Sequence, residues 1–361
     1  METYLIGEIS SPKQWKTISS KDLLESGYPV YGANGKIGFY REYTHKNPTL
    51  LITCRGATCG TINICEPKSY VNGNAMALDK LSSKVNLIYL KYILQARGLG
   101  DVISGSAQPQ ITRTNLKKVK IPLPSLETQK QIAQILDDAA ALRDKTQQLL
   151  NEYDQLAQSI FLEMFGTFTS NTNYSKSKIK DVCEKVQKID KSTKLKNIKY
   201  VDISSIDNQR NIITDVNTFP FEKRPSRAQQ ILKKDDIVYS TVRPNLKNIA
   251  IVSADDLIGS SGFAVLRSNR LLNKYYFFWL LKSQGFTKFI MSLVSGANYP
   301  AVKQSVFMNL EIPIPPIHLQ NQFAEKIALI EQQKDLAKKE LQESEDLFQA
   351  LLQKAFKGEL V

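Results

Sequence analysis

Residues 105–136 read GSAQPQITRTNLKKVKIPLPSLETQKQIAQIL, and residues 296–327 read GANYPAVKQSVFMNLEIPIPPIHLQNQFAEKI. Set 191 positions apart, the two stretches share one frame without a gap. Gly105-Ser-Ala-Gln-Pro-Gln-Ile faces Gly296-Ala-Asn-Tyr-Pro-Ala-Val, and Ile121-Pro-Leu-Pro faces Ile312-Pro-Ile-Pro. Gln129-Lys-Gln-Ile-Ala faces Gln320-Asn-Gln-Phe-Ala, and the register still holds where Phe165 meets Phe356. Upstream, Tyr89-Leu-Lys-Tyr-Ile-Leu matches Tyr276-Phe-Phe-Trp-Leu-Leu, followed by Gly98 and Gly285, with a short insertion in the second copy. The two beginnings also correspond, Ile6-Gly-Glu-Ile with Ile179-Lys-Asp-Val. An internal repeat of this length means one architecture used twice. Its frames agree and its centres differ, which suggests one scaffold carrying two separate specificities.

Working outward, each half opens with short strand-like runs broken by turn residues: Pro29-Val-Tyr-Gly-Ala-Asn-Gly, Leu50-Leu-Ile-Thr, Asp236-Ile-Val-Tyr-Ser and Asn248-Ile-Ala-Ile-Val. Amphipathic helices are predicted near 87–96 and 274–283. The Ile-Pro-x-Pro segments must be extended, because each proline drives the residue before it out of the α region. A long helix then follows in each half. Ser125 can cap the first, with Glu127 in its first turn favouring the positive end of the dipole. Its apolar seam reads Ile132, Ile135, Ala139, Leu142, Thr146, Leu149, Tyr153, Leu156 and Ile160, a sustained heptad. The second reads Phe323, Ile327, Ile330, Ala337, Leu341, Phe348 and Leu351, interrupted by Lys334 and Ser344.

Helices of about 38 residues with so narrow a stripe cannot bury themselves alone. The economical solution is an antiparallel pair; the alternatives are packing on each helix's own domain, or on a second copy. The expected fold class is therefore α+β: two globular mixed α/β domains separated by two long antiparallel coiled-coil helices, in a pseudo-twofold internal repeat. The boundaries fall at 1–125, 126–166, 167–316 and 317–361, with the polar stretch 167–178 as a linker.

Charge divides along the same lines. Of 48 Lys and Arg and 35 Asp and Glu, residues 1–125 hold 16 and 8, and residues 167–316 hold 23 and 12. The two helical segments are acidic, 3 against 7 and 6 against 8. A basic excess confined to the globular parts is the footprint of polyanion binding. No apolar run reaches a membrane-spanning length, and the opening residues lack a signal peptide's basic and apolar regions, so a cytoplasmic protein is expected. Cys54, Cys59, Cys65 and Cys183 match no zinc spacing with His45 or His318, and read as reduced structural thiols. No Walker loop, His-Glu-x-x-His, nucleophile elbow or Asp/Asn-Pro-Pro-Tyr/Phe motif is present. The acidic pairs of the basic domains, Asp235-Asp236 and Asp255-Asp256, read as turns rather than a Mg²⁺ site. No catalytic site, metal or cofactor of the chain's own is expected.

The doubled Gly-x-x-x-Pro-x-Ile/Val … Ile-Pro-Leu/Ile-Pro … Gln … Ile/Phe-Ala passage covers the frame of both halves. Together with Tyr31-Gly-Ala-Asn-Gly, Tyr200-Val-Asp-Ile-Ser and Val242-Arg-Pro-Asn, it resembles the specificity subunits of Type I restriction–modification systems, and the resemblance runs over essentially the whole chain. It implies two target-recognition domains, each reading one half of an asymmetric bipartite double-stranded DNA site, held apart by the helices. It further implies docking of two DNA-adenine methyltransferase subunits and of restriction (translocase/endonuclease) subunits. S-adenosylmethionine would then sit on the methyltransferase, and ATP and Mg²⁺ on the restriction partner. The acidic helices suit protein contacts better than phosphate. The rival readings are a protein-interaction scaffold without sequence preference and an orphan homologue that no longer assembles.

Arg suits guanine, and Asn or Gln suits adenine, so these types mark candidate readers. In the first domain they are Tyr31, Asn34, Lys36, Arg55, Asn72, Asn74, Gln108, Gln110 and Arg113. Asn34-Gly35 also fits a type I′ hairpin turn, and the repeated frame lets Gln108 and Gln110 serve as loop supports. In the second domain they are Arg224, Arg227, Arg243, Asn245, Lys247, Ser260, Ser261, Asn298, Tyr299 and Lys303. The lysines between Lys176 and Lys199 form either a backbone-tracking or a merely solvated surface.

Overall fold

The computed structural model describes all residues except 1, 34, 106–107, 169–173, 191–192, 194 and 295–299. The chain forms two compact units, Met1–Gln148 with Ala337–Val361, and Leu149–Leu336. The first long helix, Leu126–Phe165, and the second, Ile317–Lys357, each contribute to both units.

In the first unit, four strands form an antiparallel sheet ordered Ser11–Gln14, Ala75–Asp79, Leu50–Thr53, Ile62–Ile64. A three-stranded sheet pairs Tyr28–Gly32 antiparallel with Gly35–Tyr40 and parallel with Tyr70–Val71. In the second unit, Cys183–Glu184, Phe263–Ser268, Ile237–Ser240 and Ile249–Ile251 form one antiparallel sheet. Asn217–Pro220, Asn197–Val201, Leu257–Ser260 and Ala228–Leu232 form another, with one parallel pairing.

The repeated frame builds the same joint in each unit. The Ile-Pro-x-Pro segment is a strand paired with the start of its half: Lys120–Pro122 with Thr3–Leu5, and Glu311–Ile314 with Ser175–Lys178. The last four residues of the expected linker are thus strand, because the exposed backbone of Glu311–Ile314 needs a ladder partner. Ile6 N donates to Val119 O and Ile179 N to Leu310 O, which makes the two beginnings equivalent. The helices Leu87–Arg97 and Lys274–Lys282 are capped by Asn86 and Asn273 and supply the fully buried Tyr89 and Tyr276. Their hydroxyls donate to Pro122 O at 3.0 Å and Pro313 O at 2.9 Å. Burial pushes both phenols well above the ordinary range, so they stay neutral donors.

Gln129 and Gln320 lock each long helix to this joint, and both are 0% exposed. Gln129 Oε1 accepts from Asn86 N while its Nε2 donates to Lys84 O and Pro124 O. Gln320 Oε1 accepts from Asn273 N while its Nε2 donates to Leu271 O and Pro315 O. Ser125 Oγ accepts from Thr128 N and caps the first long helix as expected.

Within each unit the two long helices pack against one another and against the globular part. Ile132, Leu136 and Ala139 share a core with Phe348, Leu352 and Ala355 in the first unit. Ala157, Phe161 and Phe165 share one with Phe323, Ile327 and Ile330 in the second. There Asp154 meets Lys334, and Phe161 and Phe165 both meet Phe323, so the helices run antiparallel.

One row of the first helix's seam holds, with Ile132, Ala139 and Thr146 buried and Tyr153 and Ile160 half-buried, and the row beside it is corrected by one residue. Ile132 is buried and Ile135 half-buried, but Leu142, Leu149 and Leu156 are exposed, at 44%, 36% and 48%. That second inward row runs through Leu136, Arg143, Leu150, Ala157 and Met164 in place of the leucines. Arg143 is admitted because its guanidinium stacks on Phe348, 5.1 Å from the ring centre, and reaches Glu345, while Ala157 leaves room for larger neighbours. On the second helix Phe323, Ile327, Ile330 and Phe348 are buried and Leu341 half-buried. Lys334 and Ser344 belong to this row rather than breaking it: Lys334 pairs with Asp154 at 2.9 Å and Glu331 at 3.0 Å, and Ser344 Oγ donates to Glu340 O. At the repeat offset Arg143 stands opposite Lys334 and Asp154 opposite Glu345, so each unit carries the same cation–acid pair across its helices.

Candidate nucleic-acid interface

In the first unit the decisive element is the turn after the strand Leu50–Thr53. Cys54 N donates to Asn74 O at 3.1 Å, and Ile111 N donates to Cys54 O at 3.1 Å. Gly56, at φ +89°, donates its N–H to Pro109 O, and Arg55 forms an isolated β-bridge with Gln110. Arg55, Asn74 and Gln110 are exposed and brought together at one edge. Thr53 Oγ1 donates to Ala33 O and Asn72 N to Tyr31 O, which ties the Tyr28–Tyr40 hairpin to the same edge.

Two of the predicted readers there are structural. Tyr31 is buried and donates its hydroxyl to Glu66 Oε1 at 3.0 Å. Asn72 is buried, accepts from Gly73 N and donates to Ile18 O. A side chain committed this way cannot also meet a base edge. Lys36 is exposed beside Glu66, at 3.7 Å, and the Phe39 ring. Gln108 is exposed, and Arg113 is exposed at the start of the short helix Arg113–Lys117 capped by Thr112. Asn34 lies outside the described residues.

The second unit repeats the turn with different side chains. Val302 N donates to Thr241 O at 2.9 Å, Arg243 N to Pro300 O at 2.7 Å, and Val242 bridges Ala301. Pro109 and Pro300 correspond at the offset of 191, and Gly56 and Arg243 at 187, the offset of the upstream helices. Both take positive φ, which Gly56 adopts freely and Arg243, at +48°, holds as an arginine. Arg243 and Asn245 are exposed around the single turn Pro244–Leu246. Lys247, also at positive φ, is half-buried and lines a cavity beside the helix Gln284–Ser292. Lys303 is exposed at the start of the short helix Gln304–Met308.

Arg224, Arg227 and Ser261 belong to the other sheet of this unit. Arg224 stacks 3.9 Å over Phe221, donates to Phe221 O and lines a shallow polar cleft of about 450 Å³ with Lys188, Glu222 and Gln229. Arg227 and Ser261 are exposed and joined by Ser261 N donating to Arg227 O. Ser260 is 3% exposed and caps its own turn through Gly262 N, which corrects its place among the candidate readers. Asn298 and Tyr299 lie outside the described residues. Both acidic pairs lie at turns between strands as expected, and one member does more. Asp236 is buried and held by both Arg267 Nε and Nη2 at 2.8 Å, because a carboxylate at 1% exposure needs a cation.

The equivalence of Cys54–Gly56 with Thr241–Arg243 was hidden in the sequence. Carrying the upstream offset back from Tyr89 and Tyr276 sets Leu50-Leu-Ile-Thr over Ile237-Val-Tyr-Ser and would have exposed it. Among the described residues no group of three His, Cys, Asp or Glu side chains is placed to hold a metal, and no helix is long and apolar enough to cross a membrane.

A family model described as the Type I restriction modification DNA specificity domain matches this chain over residues 1–153 and again over 171–345. The Type I restriction enzyme MjaVIII specificity subunit of Methanocaldococcus jannaschii is 26% identical over 322 residues, 82% of this chain and 75% of that protein. The EcoprrI specificity subunit of Escherichia coli is 31% identical over 137 residues, 37% of this chain and 34% of that protein. Among solved structures, the S subunit of a Type I restriction–modification system from M. genitalium aligns with a TM-score of 0.58 at 18% identity, covering 98% of this chain and 96% of that one. A chain solved in work on complex assembly and conformational transition of the type I R-M system aligns with a TM-score of 0.60 at 15% identity, covering 99% and 98%. These structural likenesses speak for the fold, and the family match, made twice over the duplicated frame, speaks for descent: the chain belongs to the DNA specificity family of Type I restriction–modification systems.

Proposed function

We propose that this chain reads a bipartite, asymmetric double-stranded DNA target, one half-site per globular domain, and performs no chemistry itself. The observation that carries the reading is the duplicated turn. Each unit sets an exposed arginine, Arg55 or the one-residue-later Arg243, beside the backbone at a repeated proline, with different neighbours in each copy. One backbone frame with two sets of side chains is what two half-site specificities require. The basic excess of both globular segments would supply phosphate contacts. The second recognition surface would draw on Asn245 and Lys303, and on Arg224, Arg227 and Ser261.

The long helices would dock two methyltransferase subunits, and restriction subunits would join the complex. Exposed leucines support this: Leu142 and Leu347 in the first unit, and Leu149, Leu156, Leu329 and Leu336 in the second, all on otherwise polar helices. S-adenosylmethionine would be bound by the methyltransferase, and ATP and Mg²⁺ by the restriction partner. The complex would act in the cytoplasm, where the DNA is.

The test is to coexpress the chain with its methyltransferase and map methylated adenines in the host DNA. A single split motif is expected, and duplexes bearing it should bind far better than scrambled ones. Equal affinity for all duplexes would instead favour the scaffold reading.

A further inference from the structure

The second unit holds a cavity of about 510 Å³ that the reading of DNA does not use. It lies between the end of the first long helix, the helix Lys274–Lys282 and the helix Gln284–Ser292. Its walls are aromatic: Phe161, Phe168, Trp279 and Phe289. Its polar side chains include three lysines, Lys247, Lys282 and Lys288, and among the described residues no carboxylate lines it. We infer that this cavity binds a free nucleoside monophosphate, its ring against the aromatic wall and its phosphate among Lys247, Lys282 and Lys288.

Charge argues for an anion. Lys282 is half-buried over the Phe278 and Trp279 rings, 5.0 Å from the latter, and burial lowers its pKa. The nearby acids Asp154 and Glu331 are both engaged by Lys334 at 2.9 and 3.0 Å. Taken together, the four lysines and two acids leave a surplus of two positive charges, and a phosphate monoester carries about −1.5 to −2 near pH 7. Gln284 and Gly285 line the same cavity from the first turn of their helix, where backbone N–H groups have no helical carbonyl ahead of them and favour an anion.

Shape argues for a ring. The volume falls within the range of small-molecule sites, roughly 300–1,000 Å³, and four aromatic side chains exceed what phosphate alone would need. Stacking of a base on an aromatic side chain is sequence-tolerant, so the class is assigned rather than the base. A nucleotide at the end of a nucleic-acid strand shares this chemistry, and the experiment separates the two sources.

Equilibrium dialysis of the full chain against AMP, adenosine, inorganic phosphate and a 5′-phosphorylated trinucleotide tests the assignment, with the emission of Trp279 read in parallel in a Trp15→Phe background. AMP should bind at one per chain and quench the emission. Adenosine and phosphate should each bind at least about ten-fold more weakly, and the trinucleotide no better than AMP. Lys282→Gln should weaken AMP about ten-fold or more, and Lys288→Gln, at an exposed position, should weaken it without threatening the fold. Lys326→Gln, outside the cavity, should leave binding unchanged. The inference is overturned by no AMP binding at millimolar concentration, by phosphate matching AMP, or by both cavity variants binding like the parent. Tighter binding of the trinucleotide overturns the free nucleotide in favour of a strand end. None of these results bears on target reading, which can succeed or fail separately.

Discussion

Arg243 holds a left-handed backbone that costs an ordinary side chain about 1 kcal/mol or more, at a position where the other copy has Gly56. That contrast makes a test in which stability and function part company. Arg243→Gly should leave the folded chain within about 1 kcal/mol of the parent by denaturant titration, because glycine relieves the strain while loosening the unfolded state. It should still weaken recognition in one half-site. Arg55→Ala should do the same in the other half, and uniform loss over both halves from either change would refute the division of labour. Reactivity of the thiols is predictable too. Burial pushes Cys183 up to about 12, and raises Cys54 and Cys65 as well. Only roughly one Cys183 in ten thousand would be thiolate at pH 8, so alkylation by iodoacetamide should be slow in the native chain and fast in denaturant. The candidate readers were legible only as residue types. Tyr31, Asn72 and Ser260 show why: the same polar side chains serve equally well inside a fold once a side-chain or backbone partner is within reach.

At the scale of helices and strands, the period of the long helices was legible, as was one inward row of the first, while the row beside it was read one residue early. Leucines at 142, 149 and 156 look like better seam residues than Arg143, Leu150 and Ala157, and a row three residues on from Ile132 competes with one four residues on. What decided it was the partner helix, whose Phe348 and Glu345 accept an arginine that a leucine could not replace. Leu136→Asp, at 0% exposure, should therefore cost about 3–5 kcal/mol in thermal or denaturant unfolding, while Leu142→Asp should stay within about 1 kcal/mol. A similar loss from both would restore the leucine seam. The exchange Arg143→Glu with Glu345→Arg should recover part of what either single reversal loses, by up to about 1 kcal/mol for a half-exposed pair. The helix Gln284–Ser292 went unread because Ser-Gln-Gly resembles a helix stop; Ser283 in fact ends one helix and caps the next, accepting from Phe286 N.

Over the whole molecule, duplication was the strongest signal in the sequence, and the joints it marks are the places where side chains bond to backbone. Glutamine, proline and tyrosine at those joints are set by geometry, so they survive in both copies. The strands between them, such as Leu50–Thr53 and Ile237–Ser240, are buried throughout and need only residues that pack well in a sheet, which many sequences supply, so their equivalence was lost to view. The uneven charge yields a prediction at this scale. In complex with its methyltransferase, the chain should bind its target with log K falling linearly against log salt, by about 0.9 per phosphate contacted. A flat response between about 50 and 200 mM would mean that the basic domains do not track a backbone.

Gln129 and Gln320 each present an acceptor to one amide and two donor hydrogens to two carbonyl oxygens. Hydrolysis of either side-chain amide would change the mass by one unit and the volume hardly at all. Yet the new carboxylate would set oxygen lone pairs against two carbonyl oxygens in a dry site, turning attraction into repulsion. No water reaches these groups while the chain is folded, so such chemical ageing would enter through transient opening, and a molecule once damaged there would not close again as before.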